Sequence, residues 1–161
     1  MFTPGFFVNI DTMTTTEALS KLQNYCAYQE RSPFEVSRKL DLLKLPRSRQ
    51  EEVIATLMED NFLDEYRFAE AYTRGKLHQK YWAPRKIKVG LRQHRIPLVT
   101  IDRIVGLVDY NTIYKNALYL TNRWFVSKTK AQISSSLQRR GYDYETIVKA
   151  FEEVKEQSRN A

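Results

Sequence analysis

An all-α fold made of three tandem three-helix repeats is predicted for this chain by three features: an internal echo, helical spacing of the apolar residues, and a series of helix-start signals. The echo runs Val36, Leu40, Leu45, Ile54 and Leu57, then Ile87, Leu91, Ile96, Val105 and Val108, then Ile133, Leu137, Tyr142, Phe151 and Val154. Its first offset is 51 residues and its second 46. Leu22, Tyr25 and Cys26 align at a constant offset of 46 with Phe68, Ala71 and Tyr72, then with Tyr114, Ala117 and Leu118. That mismatch places a five-residue insertion near Gln79–Ala83 of the second repeat. Such a period marks a stacked array of small units, none of which buries its apolar face alone. No stretch alternates cleanly enough for a strand. The predicted organisation is a loose leader (1–14), repeats over 15–62, 63–109 and 110–156, and a tail (157–161). About nine helices would form an elongated array, straight or curved according to the packing angles.

Each helix has its own start and stripe. The first begins near Thr15 or Thr16 and carries Leu19, Leu22, Cys26 and Ala27 on one face. Ser32-Pro33-Phe34-Glu35 opens the second: serine caps, proline fits the first position and glutamate closes a capping box. Val36 and Leu40 face inward, and the helix ends at about Lys44. Pro46 or Ser48 starts the third, with Ser48 and Glu51 offering a second capping box and Val53, Ile54 and Leu57 the stripe. Asp64 opens the fourth, with Glu65 favoured by the helix dipole, and Phe68, Ala69, Tyr72 and Leu77 inside. Pro84 starts the fifth around Ile87 and Leu91; Pro97 precedes the sixth, with Ile101, Ile104, Val105 and Val108 inside. The last three helices span about Asn111–Trp124, Thr129–Arg140 and Asp143–Val154. Gly141 suits a left-handed C-terminal cap and Asp143 an N-cap. From Gln157 the polar residues predict a frayed tail.

Composition narrows function. With 161 residues, 42% of them hydrophobic, the chain can bury a real core, and no apolar run nears the ~18 residues of a membrane span. Phe6, Phe7 and Val8 are too few for a signal-peptide core and follow no basic residue. A cytoplasmic protein with no membrane partner is predicted. Cys26 is the single cysteine, so no internal disulfide forms, and its register suits a buried residue. The formal net charge is +7, unevenly spread: residues 1–80 hold 11 basic against 12 acidic side chains, residues 81–161 hold 15 against 7. Between Lys80 and Arg140 stand 13 basic residues and two acids, Asp102 and Asp109. That segment is a candidate polyanion-facing surface.

Arg85, Lys86, Lys88, Arg92 and Arg95 cluster on or just after the fifth helix. With Ile87 and Leu91 inward, Arg85, Lys88, Arg92 and Arg95 follow 3, 4, 3 spacing and form one outward ridge, suited to phosphates or carboxylates more than to base edges. The third repeat carries a weaker set: Arg123, Lys128, Lys130, Arg139 and Arg140. Trp124 and Phe125 read as closing the core before they read as base-stacking. On the fourth helix Arg67 and Arg74 lie on roughly one side; with Asp64, Glu65 and Glu70 they form a candidate partner-binding surface, or else ordinary helix ion pairs. Glu51, Glu52, Glu59 and Asp60 extend the acidity, but no histidine converges by spacing, so no metal site is expected. His78 and His94 read as surface residues, and Gln132, Ser134 and Ser135 as the solvent side of the eighth helix. The sequence has no Gly-rich phosphate loop, Cys/His cluster, nucleophile elbow or His-Glu-x-x-His motif. The chain reads as a binder, with no cofactor and no catalysis, and an elongated basic array points to a monomer.

Leu63-Asp64-Glu65-Tyr66-Arg67-Phe68-Ala69-Glu70-Ala71-Tyr72 resembles the central signature of the RecX family, bacterial modulators of the RecA recombinase. The basic stretch that follows the signature in that family is matched by Arg74, Pro84, Arg85, Lys86, Ile87 and Leu91. Ser32, Glu35, Lys39 and Leu40 resemble its first-unit helix, and Leu137, Arg139, Arg140, Gly141, Tyr142 and Ile147 its closing repeat. Two places depart from the family pattern: Tyr81-Trp82-Ala83-Pro84 stands where a glycine-rich link is common, and His94-Arg95 replaces a lysine-glycine pair. The resemblance implies a regulator in recombination, DNA repair and the SOS response. It would bind the RecA filament on single-stranded DNA, lie along the filament's deep groove and reduce recombinase, ATPase and coprotease activity. From the residues alone, a sequence-nonspecific DNA-binding helical protein and a protein adaptor that never touches DNA stay open.

Overall fold

The computed structural model describes residues 13–161, so most of the expected leader lies outside the described residues. All regular structure among the described residues is helical: α1 Thr15–Tyr28, α2 Pro33–Leu42, α3 Arg47–Glu59, α4 Glu65–Gln79, α5 Pro84–Gln93, α6 Leu98–Val105, α7 Tyr110–Trp124, α8 Lys130–Arg139 and α9 Tyr144–Arg159. Three core clusters form, one for each run of three helices, with Ala83 and Tyr81 from the α4–α5 link joining the third. The first helix of each triad packs on the third, and a short second helix completes the core. Residues through Asp64 make one compact unit, and Glu65–Ala161 make another that holds the second and third triads. No described helix is long and apolar enough to cross a membrane.

The echoed positions of the second helices, Val36 and Leu40, Ile87 and Leu91, Ile133 and Leu137, are closed to solvent. Burying each such side chain contributes roughly 1.5–3 kcal/mol. The first helices follow another register than the one expected. Ala18, Ala69 and Ala117 are all fully buried, and four residues on Leu22, Thr73 and Thr121 are buried too. Ala18 and Ala69 are 51 residues apart, the offset of the second helices, and links 29–32 and 80–83 have equal length. No insertion lies there. From the second triad to the third the buried first-helix positions are 48 apart, so three of the five residues are lost before them, with α6 of eight residues against α3 of thirteen, and two between Ala117 and Ile133. Apolar matching misses this because two of the buried positions hold threonine; Thr121 satisfies its hydroxyl on the Ala117 carbonyl at 2.7 Å.

Caps set most boundaries. Thr14 and Glu17 form a capping box on α1, as Ser32 and Glu35 do on α2, with Pro33 at the first helical position. Ser48 and Glu51 form none, because α3 starts at Arg47 after Pro46 and leaves Ser48 inside the first turn. In its place Gln50 is buried and binds Asp41 at 2.7 Å and the Leu45 carbonyl at 3.0 Å, tying α3 to the end of α2. Asp109 caps α7, Thr129 and Gln132 box α8, and Asp143 caps α9. Helix α9 continues to Arg159, past the point where a frayed tail was expected. Val108 lies beyond α6, half-buried.

Every second helix ends in the same turn. The N–H groups of Leu45, Ile96 and Tyr142 donate to the carbonyls of Leu40, Leu91 and Leu137 at 3.1, 3.1 and 3.2 Å. The preceding residues, Lys44, Arg95 and Gly141, are left-handed, with φ of 60°, 59° and 91°. This is a Schellman ending whose following residue drops into the core. In the third triad it also joins the second. The Ala83 N–H donates to the Arg140 carbonyl at 2.8 Å, the Tyr142 hydroxyl to the Tyr81 carbonyl at 2.9 Å, and the Asn116 amide to the Leu77 carbonyl at 2.9 Å. A Cβ on Gly141 would stand 2.6 Å from the Lys86 nitrogen.

Gly141→Ala is therefore expected to cost about 2 kcal/mol of unfolding free energy, from φ and collision together; chemical denaturation checks it. Burial raises the phenol pKa values of Tyr142 and Tyr72. The folded state holds these groups neutral after the unfolded chain has begun to ionise, near pH 10 at about the reference value. Stability is complete below that pH and falls as pH climbs beyond it. The melting temperature should drop above about pH 10, and Tyr142→Phe should flatten the decline.

Candidate functional site

Helix α5 reads PRKIKVGLRQ, and its apolar residues dictate what faces out. Ile87 and Leu91 are buried, Gly90 lies under the Tyr72 ring, and Arg85 and Arg92 are left exposed. Lys88 is half-exposed and pairs with Asp102 of α6 at 2.8 Å. Arg95 lies beyond the helix in the left-handed position of the turn, so the helix itself presents Arg85, Lys88 and Arg92. The lysine-glycine pair of the resembled family would fall on this turn, where a glycine suits the left-handed residue without a side-chain penalty. His94 is not a free surface residue. Its ring packs on Phe68 and Tyr72 at 4.9 and 5.3 Å between centroids.

The cap positions of the three second helices are Ser32, Ala83 and Thr129, and their third helical residues are Glu35, Lys86 and Gln132. The first and third helices close capping boxes. Helix α5 has no side-chain cap and no acid in its first turn, a local loss of about 1 kcal/mol relative to a capped start. Lys86, freed from capping, lies over the Trp82 ring at 4.2 Å from its centroid, and Lys76 of α4 lies 4.6 Å from the same ring. Trp82 follows Tyr81, which is left-handed at φ 53°, where the resembled family is rich in glycine.

The third triad repeats the arrangement. Lys128 and Arg140 lie 4.6 and 4.9 Å from the Trp124 centroid. Trp124 and Phe125 are half-buried against the third core, as closing residues. Arg140 also donates to the Ser136 carbonyl at 3.2 Å, while its Nε is buried with no hydrogen-bond partner. Arg139 donates to the Ser136 hydroxyl at 3.2 Å. Lys130 pairs with Glu152 at 3.8 Å, and Arg123 is exposed near the end of α7. Ser127, Lys128, Gln132, Ser135 and Arg139 line an open depression of about 610 Å³. Ser134 is half-buried and Gln132 caps, so the solvent side of α8 is narrower than expected.

The signature helix supplies less surface than the sequence suggested. Asp64, Glu65 and Arg67 are half-buried and engaged within the protein. Glu70 and Arg74 are exposed on α4, and neither is ion-paired among the described residues. Among the described residues no group of three or more His, Cys, Asp or Glu side chains could hold a metal ion. Trp82 and Lys76 were not foreseen as site residues; the signal available was the recurrence of an aromatic flanked by basic residues before each second helix.

Residues 64–103 match the family model of the second three-helix domain of RecX. No curated protein matches the chain. Among solved structures, RecX from Lactobacillus salivarius superposes with a TM-score of 0.72 at 22% identity, over 88% of this chain and 96% of that one. A second structure, of a regulatory protein RecX, gives a TM-score of 0.74 at 20% identity, over 88% of this chain and 71% of that one.

An exposed ion pair contributes less than about 1 kcal/mol. Asp102→Asn should therefore leave stability within about 0.5 kcal/mol while freeing Lys88 and tightening heparin retention at low salt. A thermal melt and a salt-elution profile check both halves.

Proposed function

We propose that this chain is a RecX-family protein, by its signature helix and the family match over residues 64–103, and a non-catalytic regulator of the RecA recombinase. In this reading it binds the RecA filament on single-stranded DNA and lowers recombinase, ATPase and coprotease activity. The observation that carries the reading is the surface of α5: Arg85, Lys88 and Arg92 on one outward side of a helix held by the signature helix beneath it. Such a ridge addresses phosphates or carboxylates through charge, without reading sequence. A filament is itself a repeat, and a chain of linked triads meets it with several modest contacts at high effective concentration. Arg123, Lys128, Lys130, Arg139 and Arg140 add basic contacts from the third triad, and exposed Glu70 and Arg74 offer a protein-facing edge on α4.

The deciding assay is the single-stranded-DNA-dependent ATPase of the cognate recombinase, with this protein titrated in at fixed salt. Inhibition at well below one copy per recombinase subunit is expected. Charge reversal at Arg85, Lys88 and Arg92 together should weaken filament binding about tenfold or more, roughly 1.4 kcal/mol, with helicity unchanged by circular dichroism. No inhibition at stoichiometric amounts would return the weight to a general DNA binder or an adaptor.

A further inference from the structure

Three aromatic rings near the junctions of first and second helices each carry two cations, though at different positions: Tyr25 inside α1, Trp82 in the α4–α5 link and Trp124 at the end of α7. Trp82 has Lys76 and Lys86, and Trp124 has Lys128 and Arg140. Tyr25 has Arg31 at 3.8 Å and Lys39 at 5.5 Å from its centroid. The three differ in how their charge is met. In the first triad Arg31 pairs with Glu35 at 3.8 Å and donates to the Tyr25 carbonyl at 3.3 Å. In the second, Lys86 occupies the position of that glutamate, and among the described residues neither it nor Lys76 makes an ion pair. In the third, Lys128 and Arg140 make no ion pair either.

We infer that the Trp82 and Trp124 clamps are direct contact sites for single-stranded nucleic acid, each seating a backbone phosphate between its two cations. This rests on the regulatory reading above and names which part of the filament the chain touches. Two cations within 5 Å of one ring centroid concentrate positive charge locally and repel each other. An anion between them removes that repulsion, and a phosphodiester has two unesterified oxygens to offer. Beside Lys128 the depression with Ser135 adds a hydroxyl donor of the kind that phosphate oxygens accept from. A single-stranded backbone presents phosphates in series, which suits two clamps in one chain. The Tyr25 clamp, already neutralised by Glu35, stays a packing contact.

Both tryptophans of the chain lie in these clamps, so intrinsic tryptophan fluorescence reports on nothing else. The full chain and its W82F and W124F variants, each with one tryptophan left, are titrated with a short oligothymidylate at low salt, alongside anisotropy of labelled oligonucleotide. Saturable fluorescence changes are expected in both variants, with midpoints that follow the anisotropy. The double variant K76Q/K86Q should lose about tenfold in affinity and flatten the log–log salt slope by about 0.7, the loss of one phosphate contact. K39Q should change neither. Thermal melts show that each variant is folded. Silent tryptophans, absent oligonucleotide binding, or an unchanged salt slope in K76Q/K86Q would overturn the assignment. So would polyglutamate matching the oligonucleotide, which would point to an acidic protein instead. ATPase inhibition that survives with silent tryptophans sinks the clamps alone; responding tryptophans without inhibition sink the recombinase reading alone.

Discussion

The turn that ends each second helix carries the structure. A helix of ten residues is too short to hold itself in water, and in every triad it is secured by the residue just past its end. Leu45, Ile96 and Tyr142 each bond back five residues and plug the core beneath, which needs a left-handed residue immediately before. In the third triad the plug is a tyrosine, long enough to reach the Tyr81 carbonyl, and the left-handed residue is a glycine, small enough to admit the backbone of Lys86. One local device thus ends a helix, fills a core and fixes the start of α5 within the same compact unit. Rigidity there is what keeps the basic side chains of α5 in a fixed frame.

Local rules are broken in a small region. Helix α5 gives up the capping box kept by α2 and α8, places Arg85 and Lys86 in a first turn that favours acids, and follows a left-handed tyrosine. Such concessions concentrate where a surface serves something other than its own fold. The contrast with the first triad is informative because the framework is shared. Changing Glu35 to its counterpart Lys86 removes a cap and turns a neutralised aromatic–cation pair into one with surplus charge.

Solved structures that share about a fifth of their residues with this chain share its architecture. The repeat explains why. Each core asks for apolar residues of suitable volume at the helix faces and for the plug after the second helix, and many sequences meet that demand. The surface is under no such constraint, so lysines and arginines can be redistributed without disturbing the triads.

Helical class, the three triads, the plugs and most caps were legible because burial at a period of 3.6 and helix-start chemistry are local properties. Ser32, Pro33 and Glu35 act as their order suggests, and Gly141 takes the conformation that its position requires. The first-helix register was not legible, since Thr73 and Thr121 are buried polar residues that apolar matching passes over. Nor was the fate of individual charges. Lys88 is drawn to Asp102, fourteen positions away, Lys86 to Trp82, and His94 inward between two rings. Long side chains choose partners by distance in space. Sequence by itself determined which faces turn inward; tertiary packing alone decided which outward charges remain available to a partner.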